Sequence, residues 1–194
     1  LPASRSRRKT PKNNDLPFDL RTPLFHLTGG VDLTQIDGIA SLTALKLLSE
    51  IGTDMTRWPT EKHFTSWLTL APKNKITGGR VISSRTQPSA NRAAATLRMA
   101  AMTLGRTQTA LGAFYRRMAA RLDKPQAITA TARKLAILVY RALNGELVYQ
   151  DPGAANYDAA QRSRVLRRLR HRAATLGFEL VNRTTGEVLQ AGVS

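Results

Sequence analysis

The sequence of 194 residues has no cysteine, few aromatic residues (6%) and only 13 Asp and Glu against 30 Lys and Arg. Without cysteine, disulfides and thiolate metal sites are excluded. No run of about 18 apolar residues occurs, so nothing predicts a membrane span. What the sequence does have is positive charge: its formal net charge of +17 attracts polyanions. Nucleic acid is therefore the expected partner, with an acidic protein as the alternative.

Charge and apolar periodicity divide the chain into three parts. Residues 1–15 combine Arg and Lys with Ser, Pro and Asn, which predicts a disordered basic linker that contacts phosphate or stays solvated. Residues 16–145 carry helical periodicity, and residues 146–194 form a basic C-terminal extension. Because the chain starts at Leu1 without an initiator Met or the apolar core of a signal peptide, we expect a fragment of a longer cytoplasmic, nucleoid-associated protein.

A helix-hairpin-helix is predicted over about residues 31–52. Ser41 is the expected N-cap of its second helix, which ends at Gly52. The predicted inner face of that helix consists of Leu42, Leu45, Leu48 and Ile51. Free N–H groups at its start are suited to a phosphate irrespective of base sequence. The candidate contacts are Gly38, Ile39 and Ala40, and a purely structural turn is the alternative.

A long loop over residues 71–88 is rich in glycine, hydroxyls and cations, with a short extended piece expected at 80–83. Thr77 stands directly before two glycines in this active-site loop. The neighbouring phosphate-binding candidates are Lys75, Gly78, Gly79, Arg80 and Arg85. An alcohol that attacks a phosphate must be exposed, with room for the phosphate and cations nearby. Taken alone, such a stretch is more often an ordinary phosphate-binding or flexible loop.

Three helices are predicted over residues 89–145 as a bundle, with Ser89 capping the first and the second spanning 107–122. The first helix has an apolar inner face at Ala93, Leu97, Ala100 and Leu104. The third has its stripe at Ile128, Ala132, Leu135, Val139 and Leu143. Trp58 and Trp67 are expected to anchor the core.

The basic C-terminal extension contains a helix with six arginines and no acidic residue over the same span. These arginines are Arg162, Arg164, Arg167, Arg168, Arg170 and Arg172. Phosphate contact is the favoured interpretation, and docking of a partner subunit is the alternative. An apolar stripe is expected to dock the helix, and its members are Val165, Leu169, Ala173 and Leu176. A small β-hairpin is a further possibility over 178–189. The fold class is predicted to be mainly α.

Several motifs, taken in order and spacing, resemble the C-terminal domain of the bacterial insertion-sequence transposases known as the "IS one-ten" family. The resemblance covers about residues 16–180. It is carried by Ile36-x-Gly38-Ile39, Glu50-Ile51-Gly52-Thr53-Asp54, Arg57-Trp58-Pro59-Thr60-Glu61-Lys62-His63-Phe64, Leu70-Ala71-Pro72, Gly78-Gly79, Asn91-Arg92 with Arg98, Leu111-Gly112-Ala113-Phe114 and Lys124-Pro125.

The resemblance implies a function for this chain. Members of that family join this domain to an N-terminal RuvC-like domain with four metal-binding acidic residues, where Mg²⁺ is expected. The C-terminal domain supplies a serine that attacks DNA and forms a covalent intermediate. A structured bridge RNA selects the DNA, and the protein works as an oligomer. The implied partners are therefore transposon-end and target double-stranded DNA, a guide RNA and further copies of the chain.

The family serine falls on Thr77 here, counted from Pro72 and directly before glycine. The methyl group of threonine crowds the path of attack and restricts χ1. Ser83 and Ser84 are the fallback hydroxyls. Asn91, Arg92 and Arg98 follow the loop and are candidate nucleic-acid contacts.

The acidic residues are scattered, so no metal site is predicted in this chain, and the fragment alone is expected to be inactive. The alternative function is a non-catalytic helix-hairpin-helix DNA- or RNA-binding protein, or an inactive transposon remnant.

Overall fold

The computed structural model describes residues 18–186 and residue 188. These residues form seven α-helices, two short 3-10 helices and one two-stranded antiparallel sheet. Helical residues make up 56% of the described residues, so the prediction of a mainly α fold is confirmed. The α-helices are α1 Arg21–Leu27, α2 Ser41–Ile51, α3 Glu61–Trp67, α4 Arg92–Thr103, α5 Ala110–Ala119, α6 Lys124–Leu143 and α7 Gly153–Thr175. The 3-10 helices are Leu33–Gln35 and Leu104–Arg106, and the strands are β1 Lys75–Thr77 and β2 Arg80–Ser83.

Helix α6 is the centre of the packing, because it contacts α3, α4 and α5. Helix α4 also packs on α2, and α7 packs on α5. Small side chains line these contacts, and the buried alanines include Ala93, Ala94, Ala100, Ala101, Ala132 and Ala136. Alanine brings helix axes close together and loses no side-chain entropy on burial. The predicted inner face of α4 is confirmed, since Ala93, Leu97, Ala100 and Leu104 are all buried.

An aromatic cluster ties the segment before α3 to α6. The ring of Trp58 meets that of Phe64 edge-on at 4.9 Å between centroids, and Phe64 lies 5.6 Å from Tyr140. Trp58 is a core residue as predicted, but Trp67 is 40% exposed. Trp67 stacks on the outside of the cluster, 4.9 Å from Trp58. Trp67 therefore contacts the core from its edge, whereas Trp58 lies within it.

The inner face of α2 differs from the sequence prediction. Leu42 and Leu45 are exposed, and the buried residues are Ala44, Leu47, Leu48 and Ile51. The 3.6-residue period allows either stripe, and contact with α4 selects the second one. The predicted cap is also displaced: Ala40 occupies the N-cap position, and Ser41 is the first helical residue.

Two further helix starts were predicted too early. Asn91 caps α4 by accepting a hydrogen bond from the N–H of Ala94 at 2.9 Å, whereas Ser89 was expected there. Helix α5 begins at Ala110, with Thr109 as its cap, because the 3-10 turn at Leu104–Arg106 separates it from α4. Leu122, the predicted last residue of this helix, lies beyond its end and is 40% exposed. Helix α6 begins at Lys124 with Pro125 in its first turn, where proline is tolerated.

The C-terminal helix is longer and less covered than predicted. No residue of α7 is buried. Val165, Leu169 and Leu176 are 53%, 48% and 66% exposed, so the described part of the chain does not cover the expected apolar stripe. The predicted hairpin after α7 is represented by one antiparallel bridge, Val181 to Val188. The basic linker at 1–15 lies outside the described residues.

Candidate nucleic-acid interface

The predicted active-site loop forms a β-hairpin whose strands are almost entirely exposed. Its two-residue turn is Gly78-Gly79, with φ of +55° and +76°. Two consecutive positive φ angles give a turn that matches the twist of a hairpin and favours glycine at both positions. A Cβ added at either glycine would meet nothing within 4 Å. The space around the turn is therefore open to a ligand.

Thr77 is the last residue of β1 and faces Arg80 across the turn, because the register pairs Thr77 with Arg80 and Ile76 with Val81. Directly opposed residues in an antiparallel pair place their side chains on the same face. The hydroxyl and the guanidinium thus share one face of the hairpin, and Ile76 and Val81 share the other. The expected extended piece at 80–83 is present as β2.

The fallback hydroxyls lie at the opposite end of the hairpin. Ser83 pairs with Lys75, next to an irregularity in the register between Lys75 and Ile76. The Oγ of Ser83 accepts a 3.5 Å hydrogen bond from the N–H of Arg85. Ser84 is exposed just beyond the strand. Of the three candidate hydroxyls, Thr77 alone adjoins the glycine turn.

The predicted helix-hairpin-helix region contains the 3-10 helix Leu33–Gln35, a turn at Gly38 and α2. Gly38 has φ of +86°, and a Cβ there would lie 3.2 Å from the side chain of Leu104 and 3.3 Å from the carbonyl of Ala100. The glycine therefore allows close approach of α4. The side chain of Ile39 is buried, and its N–H donates to the carbonyl of Ile36 at 3.0 Å.

Ala40 is the exposed member of this candidate set. No side chain among the described residues caps α2, so the first-turn N–H groups carry no capping hydrogen bond from a described side chain. Phosphate contact at this position remains a prediction.

Asp32 fixes the entrance to this region. It caps the 3-10 helix through Thr34, whose N–H lies 3.0 Å from Oδ1, and it accepts a 2.8 Å hydrogen bond from Nε of Arg21. Burial alone raises the pKa of Asp32, but hydrogen bonds from Arg21, Thr34 and Gln35 outweigh it and hold the pKa below its ordinary value. The Asp32 carboxylate therefore has a structural role.

The three candidates after the loop have different surroundings. The side chain of Asn91 caps α4, which gives it a structural role. Arg92 forms a 3.1 Å ion pair with Glu50 while its side chain stays 81% exposed. Arg98 is half-buried on α4.

The six predicted arginines of α7 are exposed, except for Arg170, which is half-buried. The ion pairs recorded among the described residues involve Arg21, Arg92 and Arg141, and none of the six. At about 1.5 Å per residue, a helix of 23 residues is about 35 Å long. The six arginines lie within residues 162–172, so their charge is concentrated over about 15 Å, mostly in the C-terminal half of this helix.

Sequence reasoning missed a group of cations on α5 and α6. Arg117 and Lys134 lie against the ring of Phe114, with the guanidinium carbon 5.8 Å and the ammonium nitrogen 5.6 Å from its centroid. The dipeptides Arg116-Arg117 and Arg133-Lys134 are visible in the sequence. No short-range sequence pattern, however, indicates that these cations lie close together, or that α5 packs against α7.

The resemblance implies Mg²⁺ in an N-terminal RuvC-like domain and not at the described residues. Among them, no group of three or more His, Cys, Asp or Glu side chains could hold a metal ion. The described helices also include none that is long and apolar enough to cross a membrane.

Comparison of the chain with known protein families gives one match. Residues 32–116 match the family model described as Transposase IS116/IS110/IS902 family. The match supports a transposase domain of that family in this part of the chain, and the family itself implies DNA binding. The matched segment runs from the cap of the first 3-10 helix into α5 and includes the Thr77 hairpin, whereas α6 and α7 lie outside it. No curated protein matches the chain.

Proposed function

We propose that this chain contributes a hydroxyl nucleophile, Thr77, to DNA strand cleavage and transfer during transposition. The observation that carries the proposal is the placement of Thr77 beside an open glycine turn and across from Arg80, inside a segment that matches a transposase family. An exposed hydroxyl gives access to phosphorus, the glycines leave room for the phosphate, and the guanidinium balances charge in the transition state.

The proposed step exchanges one phosphate ester for another. Thr77 Oγ1 attacks the phosphorus of a DNA phosphodiester, and the bond from phosphorus to one sugar oxygen breaks. Water takes the threonine proton and returns a proton to the departing sugar oxygen. The protein is then linked to DNA through a phosphothreonine ester. Because the number of phosphate esters is unchanged, the free DNA hydroxyl of another strand can reverse the exchange and complete the transfer.

The rest of the proposed machinery lies beyond the described residues. We propose that a RuvC-like domain carries Mg²⁺, that a structured guide RNA chooses the DNA, and that copies of the protein share active sites at the nucleoid. The net charge of +17 and the arginine-rich α7 support contact with RNA as well as DNA.

The test is covalent capture. The complete protein, Mg²⁺, RNA transcribed from sequence flanking its gene and a nicked suicide DNA substrate should give a protein–DNA adduct stable to denaturant. Thr77→Ala should abolish the adduct, and Ser83→Ala and Ser84→Ala should retain it. Thr77→Ser should form it faster, because removal of the methyl group opens the path of attack. An adduct that persists in Thr77→Ala would overturn the assignment.

The second candidate is a non-catalytic nucleic-acid-binding protein, favoured by the methyl group at the nucleophile position. It predicts salt-dependent binding of DNA or RNA without any adduct in the wild type or in Thr77→Ser. Recovery of an adduct in Thr77→Ser alone would instead identify a catalytic scaffold whose own hydroxyl is too crowded to react.

A further inference from the structure

Three helices outside or at the end of the matched segment bring positive charges together. Arg117 comes from α5, Lys134 from α6 and Arg164 from α7. Tyr157 and Arg164 are seven residues apart on α7, which places them on the same face of the helix. Tyr157 contacts Arg117, so this face of α7 is turned toward α5. The three positions are separated by up to 47 residues in sequence, and only the packing unites them.

The guanidinium of Arg117 is held in one orientation before any ligand arrives. Its carbon lies 5.8 Å from the centroid of Phe114 and 5.7 Å from that of Tyr157. Its Nε donates a 3.0 Å hydrogen bond to the hydroxyl of Tyr157. No hydrogen bond to a described residue uses the remaining Nη donors. A fixed, planar donor fork loses little conformational entropy when it binds an oxyanion.

Lys134 shares the Phe114 ring with Arg117. Desolvation lowers the pKa of Lys134, and the positive charges of Arg164, Arg141 and Arg117 lower it further. Arg141 has its own carboxylate partner, since its Nε lies 2.6 Å from Oε2 of Glu61. The other three cations have no ion-pair partner among the described residues. Like charges held together without a counter-charge are stabilised when an anion binds between them.

We propose that Arg117, Lys134 and Arg164 form a binding site for a phosphodiester group of a nucleic-acid backbone. The site continues into the exposed arginines of α7, and residues 162–172 span about 15 Å, or about four nucleotide steps of about 3.4 Å. A backbone of regularly spaced phosphates fits such a row better than a single small anion does. The proposal rests on the proposed function only in that the chain handles nucleic acid, and it is independent of Thr77.

The experiment compares two lysines of the same helix. Lys134→Gln removes the charge in the cluster, and Lys124→Gln removes one charge at the exposed start of α6. Binding of the 194-residue chain to a labelled single-stranded RNA and to a labelled DNA duplex is measured over a series of salt concentrations. A polyglutamate peptide serves as the third ligand. Thermal unfolding of each variant checks that it remains folded.

The expected result is a smaller salt dependence for Lys134→Gln alone. Each lost phosphate contact reduces the slope of log K against log salt by about 0.9 for a duplex and about 0.7 for a single strand. When the salt is lowered from 1 M to 0.1 M, Lys134→Gln should therefore gain about eightfold less affinity than the wild type for a duplex. For a single strand it should gain about fivefold less. The ligand whose slope falls by its expected amount, while the slope of the other ligand is unchanged, identifies DNA or RNA as the source of the phosphate.

Two further outcomes would overturn the proposal. Equal slopes for Lys134→Gln and Lys124→Gln would show that only net charge matters, and a selective loss of polyglutamate binding would identify an acidic protein instead. Lys134→Arg keeps the charge and should keep the wild-type slope. A slope reduced equally by Arg and Gln would indicate a packing role. Failure of the adduct assay would leave these slopes unaffected, so the two proposals fail separately.

Discussion

The hydroxyl of Tyr140 in α6 donates a 2.7 Å hydrogen bond to the main-chain carbonyl of Trp58, which lies 82 residues earlier. Both residues are buried, at 5% and 6% exposure. The bond satisfies a carbonyl of the irregular segment before α3 and joins that segment to the central helix. It therefore helps to hold in place the part of the chain that leads into the Thr77 hairpin.

Removal of that hydroxyl should destabilise the fold. Tyr140→Phe leaves the buried carbonyl of Trp58 without its donor, and an unsatisfied buried polar group costs about 1–3 kcal/mol. The free energy of unfolding in urea measures the loss. Tyr115→Phe is the matched control, because no hydrogen bond of the Tyr115 hydroxyl to a described residue is present, and it should change stability by less than about 0.5 kcal/mol. Equal effects in the two variants would contradict the role given to the Tyr140 hydrogen bond.

Gly38 should be more sensitive to a methyl group than another glycine with similar backbone geometry. Gly38→Ala and Gly145→Ala both place a side chain at positive φ, +86° and +72°, which costs about 1–2 kcal/mol. Only at Gly38 does the new Cβ press on Leu104 and the Ala100 carbonyl, at 3.2 and 3.3 Å. We expect Gly38→Ala to lose at least about 1 kcal/mol more in denaturant unfolding. A smaller loss than in Gly145→Ala would show that α4 does not constrain the turn.

Replacement of Gly112 in α5 by alanine should destabilise the fold, although helix propensity alone would favour alanine. Alanine is favoured over glycine in a helix by about 1 kcal/mol, but a Cβ at Gly112 would lie 2.4 Å from the Thr107 carbonyl and 2.8 Å from that of Leu104. Both neighbours are main-chain atoms, so we expect Gly112→Ala to destabilise by about 1–3 kcal/mol in thermal or denaturant unfolding. Ala160→Gly, at an exposed position in α7, measures the propensity effect alone. Stabilisation by Gly112→Ala would contradict the packing.

The pH dependence of the free energy of unfolding should show the contribution of the Asp32 carboxylate. Its pKa in the folded chain lies below its ordinary value, whereas the unfolded value is about 3.9. Its contribution is therefore fully present above about pH 4 and is lost as the pH falls through the folded pKa. The stability difference between wild type and Asp32→Asn, measured by urea unfolding, should shrink over that acid range. Asp54→Asn, at an exposed carboxylate paired only with its local turn, should show a smaller difference. A wild-type advantage that grows on acidification would reverse the sign predicted here.

Local sequence patterns were sufficient to predict the helical class and the inner faces of α4 and α6. They were also sufficient to single out the Thr77-Gly78-Gly79 motif. Each of these depends on residues close together in the chain: a 3.6-residue period, a capping side chain or two adjacent glycines. Helix starts were less accurate, because Ser41 and Ser89 are good caps by residue type, whereas the chain uses Ala40 and Asn91. Asn91 can cap as well as Ser89, but Ala40 has no capping side chain, so local residue type does not by itself fix where a helix starts.

By itself, then, the sequence determined a basic, mainly helical chain with one exposed hydroxyl before a glycine turn, because charge and short-range periodicity are properties of neighbouring residues. Only the tertiary structure decided that Gly38 packs against α4 and Leu104, and that Arg117 and Lys134 share the ring of Phe114 beside α7. These relationships depend on packing between segments far apart in the chain. Such contacts are selected by burial of the whole core, and no local pattern encodes them.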